Sequence, residues 1–503
     1  MRKSLGSLTK NVAIYGAGDV AVKVVGLLLL PLYIIELSDD DFGALGLLIG
    51  VEAFAKIVFR WGLDGAFMRY YHDRKTAEAR RLLTSTLCWF LLVTGSVLLA
   101  VGLIGSDILA TRLFGEAAGR YVTALRLVLI NTFLLTFTFV PYQVMRLEGR
   151  AVTFTVLSFA RSTATVVLKF VLVIAMGMGL TGYMVTDLVV TVALLPWLWP
   201  FARPLIGRAF SREELRRCLR FGLPRLPHGL AQQALDAGNK ILFNRYVPLS
   251  SLGVYQISGT VGQSLKLFLS AFETGWAPFY YENAHHSDAR VTFSKITTYG
   301  IAILVLLVSG LVAIAPDLVR AITWTEPWSA AAYAQAAIVV PLVGAGIAFQ
   351  GVYLLTSIGL NLTSQTQYYP VATFAAAGVG LGGGLLLMPG LGATGAALAF
   401  ALSYVTLAVV AGYFAQRHYP MTYERGRISR ALLAGIAAGA AGWLLPAMPP
   451  VAGVLVRGAT TVLAFGGLLW IGGFLRHTER VWLADQSKFW LTRRANPSDD
   501  DRP

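Results

Sequence analysis

Residues 43–80 read GALGLLIGVEAFAKIVFRWGLDGAFMRYYHDRKTAEAR. The part from 43 to 68 is apolar over more than the roughly 20 residues that a helix needs to cross a bilayer. Arg69, Arg74, Lys75, Arg80 and Arg81 follow directly. The stretch also recurs. Set without a gap against residues 253–290, it gives eight identities in 38 positions: Gly43/Gly253, Val51/Val261, Lys56/Lys266, Gly65/Gly275, Tyr70/Tyr280, Tyr71/Tyr281, Ala79/Ala289 and Arg80/Arg290. A lysine shared at mid-span and a Tyr-Tyr pair shared at the basic end are more telling than shared Val or Ala. Further on, Leu180-Thr181-Gly182 falls against Ala393-Thr394-Gly395 at an offset larger by three. The two copies run in the same direction through the membrane. A parallel repeat of this kind, related by an axis along the membrane normal, is one of the architectures of secondary transporters.

Outward from this repeat, the rest of the 503-residue chain is of the same kind. It is 56% hydrophobic and only 14% charged, with a mean hydropathy of +0.62, against about 25% charged in an ordinary soluble domain. Apolar runs recur near 11–36, 43–68, 82–105, 121–146, 152–176, 181–202, 221–246, 251–279, 292–315, 333–358, 367–388, 392–415, 429–447 and 451–475. The run after Asn11 is too long for a signal peptide, carries Asp19 and Lys23, and reads as the first transmembrane helix.

The loops between these runs alternate in charge. One set, with both termini, holds 28 Lys and Arg, and the opposite set holds Arg112, Arg120, Arg245 and Arg320. The positive-inside rule then puts both termini in the cytoplasm, which requires an even number of spans. The same rule accounts for the net charge of +15 without a nucleic-acid partner. The expected fold class is an all-α integral membrane protein of about 14 transmembrane helices, two parallel-repeat six-helix bundles around a central cavity plus two extra C-terminal helices. The expected division is an N-terminal six-helix lobe over 1–210, a C-terminal lobe over 211–420 and two additional spans over 421–475. An amphipathic cytoplasmic tail over 476–503 ends in a disordered segment.

Ten basic residues fall within spans: Lys23, Lys56, Arg60, Arg126, Arg161, Lys169, Arg225, Lys240, Lys266 and Arg457. Each costs at least about 2.5 kcal/mol at mid-bilayer, so such groups face protein or water. Arg126, Arg225 and Arg457 lie near span ends, where a long side chain reaches the interface. Arg161 and Lys169 fit either environment. The others form stripes. Glu52, Lys56, Arg60 and Asp64 recur every fourth residue along one slowly drifting helix face. Gln263, Lys266, Ser270 and Glu273 share a face of the eighth helix, His228, Gln232, Asp236 and Lys240 a face of the seventh, and Asp19 and Lys23 are an i,i+4 pair in the first. These charges are either mutually neutralised structural pairs or the lining of one cavity between the halves. As a cavity, a basic excess suits an anion such as phosphate or pyrophosphate. Asp39, Asp40 and Asp41 after Ser38 read as helix capping. Cys88 and Cys218 have no metal-site or disulfide spacing, and no metal, cofactor or catalytic motif is present.

Several stretches, Asn11 to Gly18, Leu29-Leu30-Pro31-Leu32-Tyr33, Phe42-Gly43-Ala44-Leu45, Gly62-Leu63-Asp64-Gly65-Ala66 with Arg69-Tyr70-Tyr71, Phe221-Gly222-Leu223-Pro224 and Gly253-Val254-Tyr255, resemble one known group. It is the polysaccharide transporter branch of the multidrug/oligosaccharidyl-lipid/polysaccharide exporter superfamily, the Wzx-type O-antigen flippases. The resemblance spans essentially the whole chain. Where many members show Asp-Arg in the seventh helix, this chain reads Asn239-Lys240, so the acid is missing or is supplied by Asp236.

The resemblance implies a V-shaped central cavity and the flipping of a polyprenyl-pyrophosphate-linked oligosaccharide (an O-antigen, capsule or exopolysaccharide unit) across a bacterial inner membrane. By analogy Lys23, Lys56, Arg60, Lys240 and Lys266 contact the pyrophosphate. Asp19, Glu52, Asp64, Asp236 and Glu273 serve ion coupling, sugar contacts or pairing. The implied partners are the lipid-linked oligosaccharide, membrane lipids, and a polysaccharide polymerase or export machinery. A cation-coupled multidrug exporter of the same superfamily would want a more acidic lobe. A membrane glycan polymerase or glycosyltransferase would want a larger outer loop than those at 106–120 and 316–332.

Overall fold

In a computed structural model of the protein, the structure describes residues 33, 36–148, 150–223, 226–235, 249–323, 330–363 and 365–476. The described residues form helices and connecting turns, with no strand among them. The expected first span, the second half of the expected seventh span and the expected amphipathic tail with its disordered end lie outside the described residues.

The first lobe begins with α1 (Asp39–Arg60) and α2 (Leu63–Asp73). It continues through α3 (Ala77–Ile104), α4 (Ser106–Phe114), α5 (Ala118–Leu147), α6 (Ala151–Lys169) and α7 (Gly179–Ala202). Capping starts α1 as expected. The Ser38 hydroxyl accepts from the Asp41 amide, and the Asp41 carboxylate accepts from the Ser38 amide. Three aspartates in the first turn offset the helix dipole. Asp41 also takes hydrogen bonds from Arg120 at 2.9 Å and Tyr121 at 3.0 Å, which ties the start of α1 to α5. The expected capping role is borne out and extended.

An amphipathic helix, α8 (Arg212–Gly222), follows, and then α9 (Leu226–Gln233), α10 (Leu249–Gly262) and α11 (Leu265–Asn283). The second lobe is completed by α12 (Ala289–Ile322), α13 (Ala330–Thr356), the short α14 (Ile358–Leu362) and α15 (Tyr368–His418), which Gly392 divides in two. The chain ends in α16 (Arg425–Trp443) and α17 (Pro450–Ile471).

The repeat is visible in the backbone. Gly43 lies in α1 and its aligned partner Gly253 in α10. The second match extends to Gly179-Leu180-Thr181-Gly182 and Gly392-Ala393-Thr394-Gly395. Gly179 and Gly392 have φ of +55° and +54°, a conformation that a Cβ penalises. Three residues on, a Cβ at Gly182 would meet the Leu172 carbonyl at 3.1 Å, and one at Gly395 would strike the Leu387 carbonyl. Both lobes thus make the same hairpin, closed by one glycine for its dihedral and another for close approach.

Two expected spans are not single helices. The second breaks at Trp61 and Gly62, with φ of +53° and +67°, because Gly62 lies against the start of the second lobe. A Cβ there would be 2.5 Å from the Gly222 carbonyl oxygen. The eighth breaks at Gln263-Ser264, between α10 and α11. Among the described residues nine stretches are long and apolar enough to cross a membrane, the two-part α15 counting as one. The protein is a multi-pass membrane protein, and the number fourteen remains an expectation from hydropathy and loop charge.

Small residues set the helix contacts, as in membranes generally. In α16, Ala431, Ala434, Gly435, Ala438, Gly439 and Gly442 form a buried stripe, and a Cβ at Gly439 would already touch Ser309 of α12 at 3.4 Å. Arg457 is a correction. Expected to reach the interface from a span end, it is 8% exposed. It donates to Asp317 at 2.7 Å and to the carbonyls of Gly442, Trp443, Leu445 and Pro446. These are the carbonyls left open where α16 ends, so one guanidinium caps α16 and fastens α17 to α12.

Candidate functional site

The lobes meet where the first turns of α1 pack on α10 around Gly253. A Cβ at Gly253 would strike the Asp39 carbonyl, and one at Gly46 would lie 2.9 Å from the Gln256 side-chain oxygen. Further along α1 there is open space. Lys56 is 41% exposed and pairs with Glu52 at 2.6 Å. The two helices are thus in close backbone contact near Asp39, whereas Lys56, four turns further on, is partly exposed.

At the end that bears the basic loops the first lobe contains a polar cavity of about 380 Å³. Arg60 and Asp64 enter it from α1 and α2, Tyr142, Gln143 and Arg146 from α5, and Ser158, Arg161 and Ser162 from α6. Three guanidiniums share it with one carboxylate, a formal excess of two positive charges. Arg60 reaches Asp64 at 3.5 Å and the Leu135 carbonyl at 3.3 Å, and stands 5.8 Å from the Phe139 ring centre. Arg146 lies 4.6 Å above the Phe154 ring. Aromatic faces hold a guanidinium without using up its hydrogen bonds. Two buried atoms of the cavity have no hydrogen-bond partner, the acceptor Gln143 Oε1 and the donor Arg60 Nε. Such a donor costs about 1–3 kcal/mol unless something satisfies it, and an anion's oxygen does so.

The placement of the expected site residues is mixed. Glu52 and Lys56 are a partly exposed ion pair on α1. Arg60 and Asp64 line the cavity, but not as one continuous stripe, because the break at Trp61-Gly62 separates them. Lys266 and Ser270 lie on α11, just past the second break, and Gln263 lies in that break; Glu273 is exposed. Asp19, Lys23, Asp236 and Lys240 lie outside the described residues.

Sequence reading missed Arg146, assigned to a loop, and left Arg161 open. Their signal was present: Ser158, Arg161 and Ser162 share a helix face, as do Tyr142, Gln143 and Arg146. It also left Lys169 open and overlooked Asp187. Lys169 is 8% exposed, 3.1 Å from Asp187 and 3.3 Å from the Tyr183 ring centre. It directly precedes the π-helical turn Phe170–Ala175. No group of acids, histidines and cysteines among the described residues could hold a metal ion. Burial pushes the Cys218 thiol on α8 up to about 11, well away from a reactive thiolate.

The family model described as polysaccharide biosynthesis protein matches residues 37–333. The chain belongs to the polysaccharide biosynthesis protein family. No curated protein matches it by sequence. Among solved structures it is similar to the lipid II flippase MurJ in an inward closed conformation, with TM-score 0.71, 12% identity, and 91% of this chain and 98% of that one covered. It is also similar to an inward-facing multidrug resistance MATE family transporter of the MOP superfamily, with TM-score 0.65, 16% identity and 81% and 95% covered. A third is a MOP superfamily transporter from Pyrococcus furiosus, with TM-score 0.54, 17% identity and 84% and 96% covered, for which a reversed polarity of the binding pocket suggests a different function. At these identities the likeness establishes only the fold that this family member shares with them.

Proposed function

We propose that this polysaccharide biosynthesis family protein is a flippase for a polyprenyl-pyrophosphate-linked oligosaccharide. It carries an O-antigen, capsule or exopolysaccharide unit across the bacterial inner membrane by alternating access, and catalyses no covalent step. The observation that supports this best is the cavity of Arg60, Arg146 and Arg161, with a single acid among them. A pyrophosphate offers many acceptor oxygens, and charge-assisted bonds from arginine suit it better than any neutral or cationic cargo. The cavity opens at the end carrying the basic loops, which the positive-inside rule assigns to the cytoplasm. A lipid-linked unit assembled there would enter head first, its tail remaining in the bilayer. Lys56 and Lys266, at paired repeat positions, are proposed contacts for the sugars or the diphosphate, together with Lys23 and Lys240. Asp19, Glu52, Asp64, Asp236 and Glu273 are proposed to balance these charges or couple transport to an ion.

In liposomes containing the purified protein and a defined lipid-pyrophosphate sugar, wild type is expected to expose the sugar on the opposite leaflet. Lys56→Ala/Lys266→Ala and Arg161→Gln should each abolish this while inserting normally. Unchanged flipping in both would sink the assignment. Drug extrusion without any glycan flipping would indicate the exporter class instead.

A further inference from the structure

A second cavity, of about 440 Å³, lies on the outer face of the first lobe between α3, α5 and α7. Cys88, Phe137 and Leu195 line its apolar interior, and Trp89 and Trp199 stand at its lips, 40% and 52% exposed. Tryptophan prefers the boundary between lipid tails and headgroups, so the pair marks where this crevice meets the interface. The turn that closes its end is fixed to α3. Gly207 donates to the Ser85 hydroxyl at 2.6 Å and accepts from the Trp89 indole at 2.9 Å, and Ser211 donates to the Thr86 hydroxyl at 3.0 Å.

This turn carries Arg203 and Arg208, and Arg81 lies against it, with its Nε 2.9 Å from where a Cβ on Gly207 would be. All three are exposed. Two nearby acids are engaged, Glu214 by Arg74 and Glu213 by Arg217. None of the three arginines has an ion-pair partner among the described residues. An apolar slot with an aromatic rim and three uncompensated guanidiniums at its headgroup end is complementary to one kind of molecule.

We propose that this crevice binds an anionic phospholipid of the surrounding bilayer, one acyl chain along Cys88, Phe137 and Leu195 and its phosphate on Arg81, Arg203 and Arg208. Charge complementarity selects an anionic headgroup over a zwitterionic one. The site lies on the lipid-facing side of the first lobe, whereas the cargo cavity lies among α1, α2, α5 and α6, and the inference holds whatever the cargo is. Because residues 203–211 lead into the helix joining the lobes, the lipid also reinforces the first lobe's hold on that connection.

The test is lipid retention by the purified full-length protein, measured by native mass spectrometry after exposure to equal phosphatidylglycerol and phosphatidylcholine. Wild type should keep phosphatidylglycerol preferentially. With each basic group near a membrane surface worth about 1 kcal/mol, R81Q/R203Q/R208Q should lower that preference on the order of 100-fold. Cys88→Trp, and separately Leu92→Trp on the exposed flank, should expel the lipid with all three arginines intact. Thermal melting without added lipid verifies that each variant is folded. Equal retention of both lipids by wild type, or selectivity surviving in the triple variant, overturns the headgroup assignment. Selective retention in both tryptophan variants overturns the crevice.

Discussion

Arg161 and Arg146 owe their availability to their neighbours. Serines flank one and a phenylalanine ring supports the other, and the cavity's one carboxylate, Asp64, is taken by Arg60. Replacing either by Gln removes a charged donor worth roughly 1.5–3 kcal/mol, and binding of a soluble pyrophosphate analogue is expected to weaken by about 10- to 150-fold, read by calorimetry. Lys169 is the opposite case, neutralised in place by Asp187 and a tyrosine face. Lys169→Met alone leaves a buried carboxylate without its cation and should cost about 3–5 kcal/mol, whereas Lys169→Met/Asp187→Leu should recover most of that stability. Melting temperatures in detergent separate the two outcomes. If the double variant melts normally yet transports nothing, the pair has a functional role beyond packing.

At the level of elements, glycines decide where helices bend and how closely they approach. Gly392 divides α15 with a φ of +54°, so Gly392→Ala should destabilise the protein by about 1–3 kcal/mol. Gly390, where a Cβ would meet nothing within 4 Å, is the control: Gly390→Ala should be neutral or slightly stabilising. Chemical denaturation of the two variants side by side measures the difference. The C-terminal pair of helices depends on one side chain. Arg457→Ala frees both Asp317 and the terminal carbonyls of α16, and should expose residues 444–449 to protease while the first lobe stays resistant. Equal protection in wild type and variant would show that small-residue packing alone holds α16 and α17.

Across the whole molecule, the tightest backbone approach between α1 and α10 is Gly253 against Asp39. Gly253→Val cannot keep that contact and should prise the lobes apart at the start of α1 and α10. Transport should fall sharply, with insertion and the melting temperature little changed. A cysteine introduced at Gln256 should become reactive to a polar maleimide from the Asp39 side only in this variant. Unaltered labelling would mean that the closure is held elsewhere. The joining helix α8 is clamped to the first lobe by Arg74 and Glu214 at 2.7 Å.

Hydropathy, loop charge and the ungapped repeat were sufficient to read a multi-pass helical membrane protein with two parallel halves. These properties are local or periodic: a bilayer requires apolar stretches of a given length, and a repeat leaves its register in the chain. Capping by Ser38 and the Gly-x-Thr-Gly turns belong to the same class, since they depend only on residues within a few positions. Which charges meet was not legible. Arg60, Arg146 and Arg161 come from three helices, Lys169 and Asp187 from opposite arms of a hairpin, and Arg457 and Asp317 lie 140 residues apart. The stripes of Glu52 to Asp64 and Gln263 to Glu273 assumed straight helices, and the breaks at Gly62 and Gln263 depend on contacts made only after folding. Sequence alone determined that charge must be sheltered inside this membrane protein. The rotation and breaking of packed helices decided which cations are neutralised and which three share one cavity with a single acid.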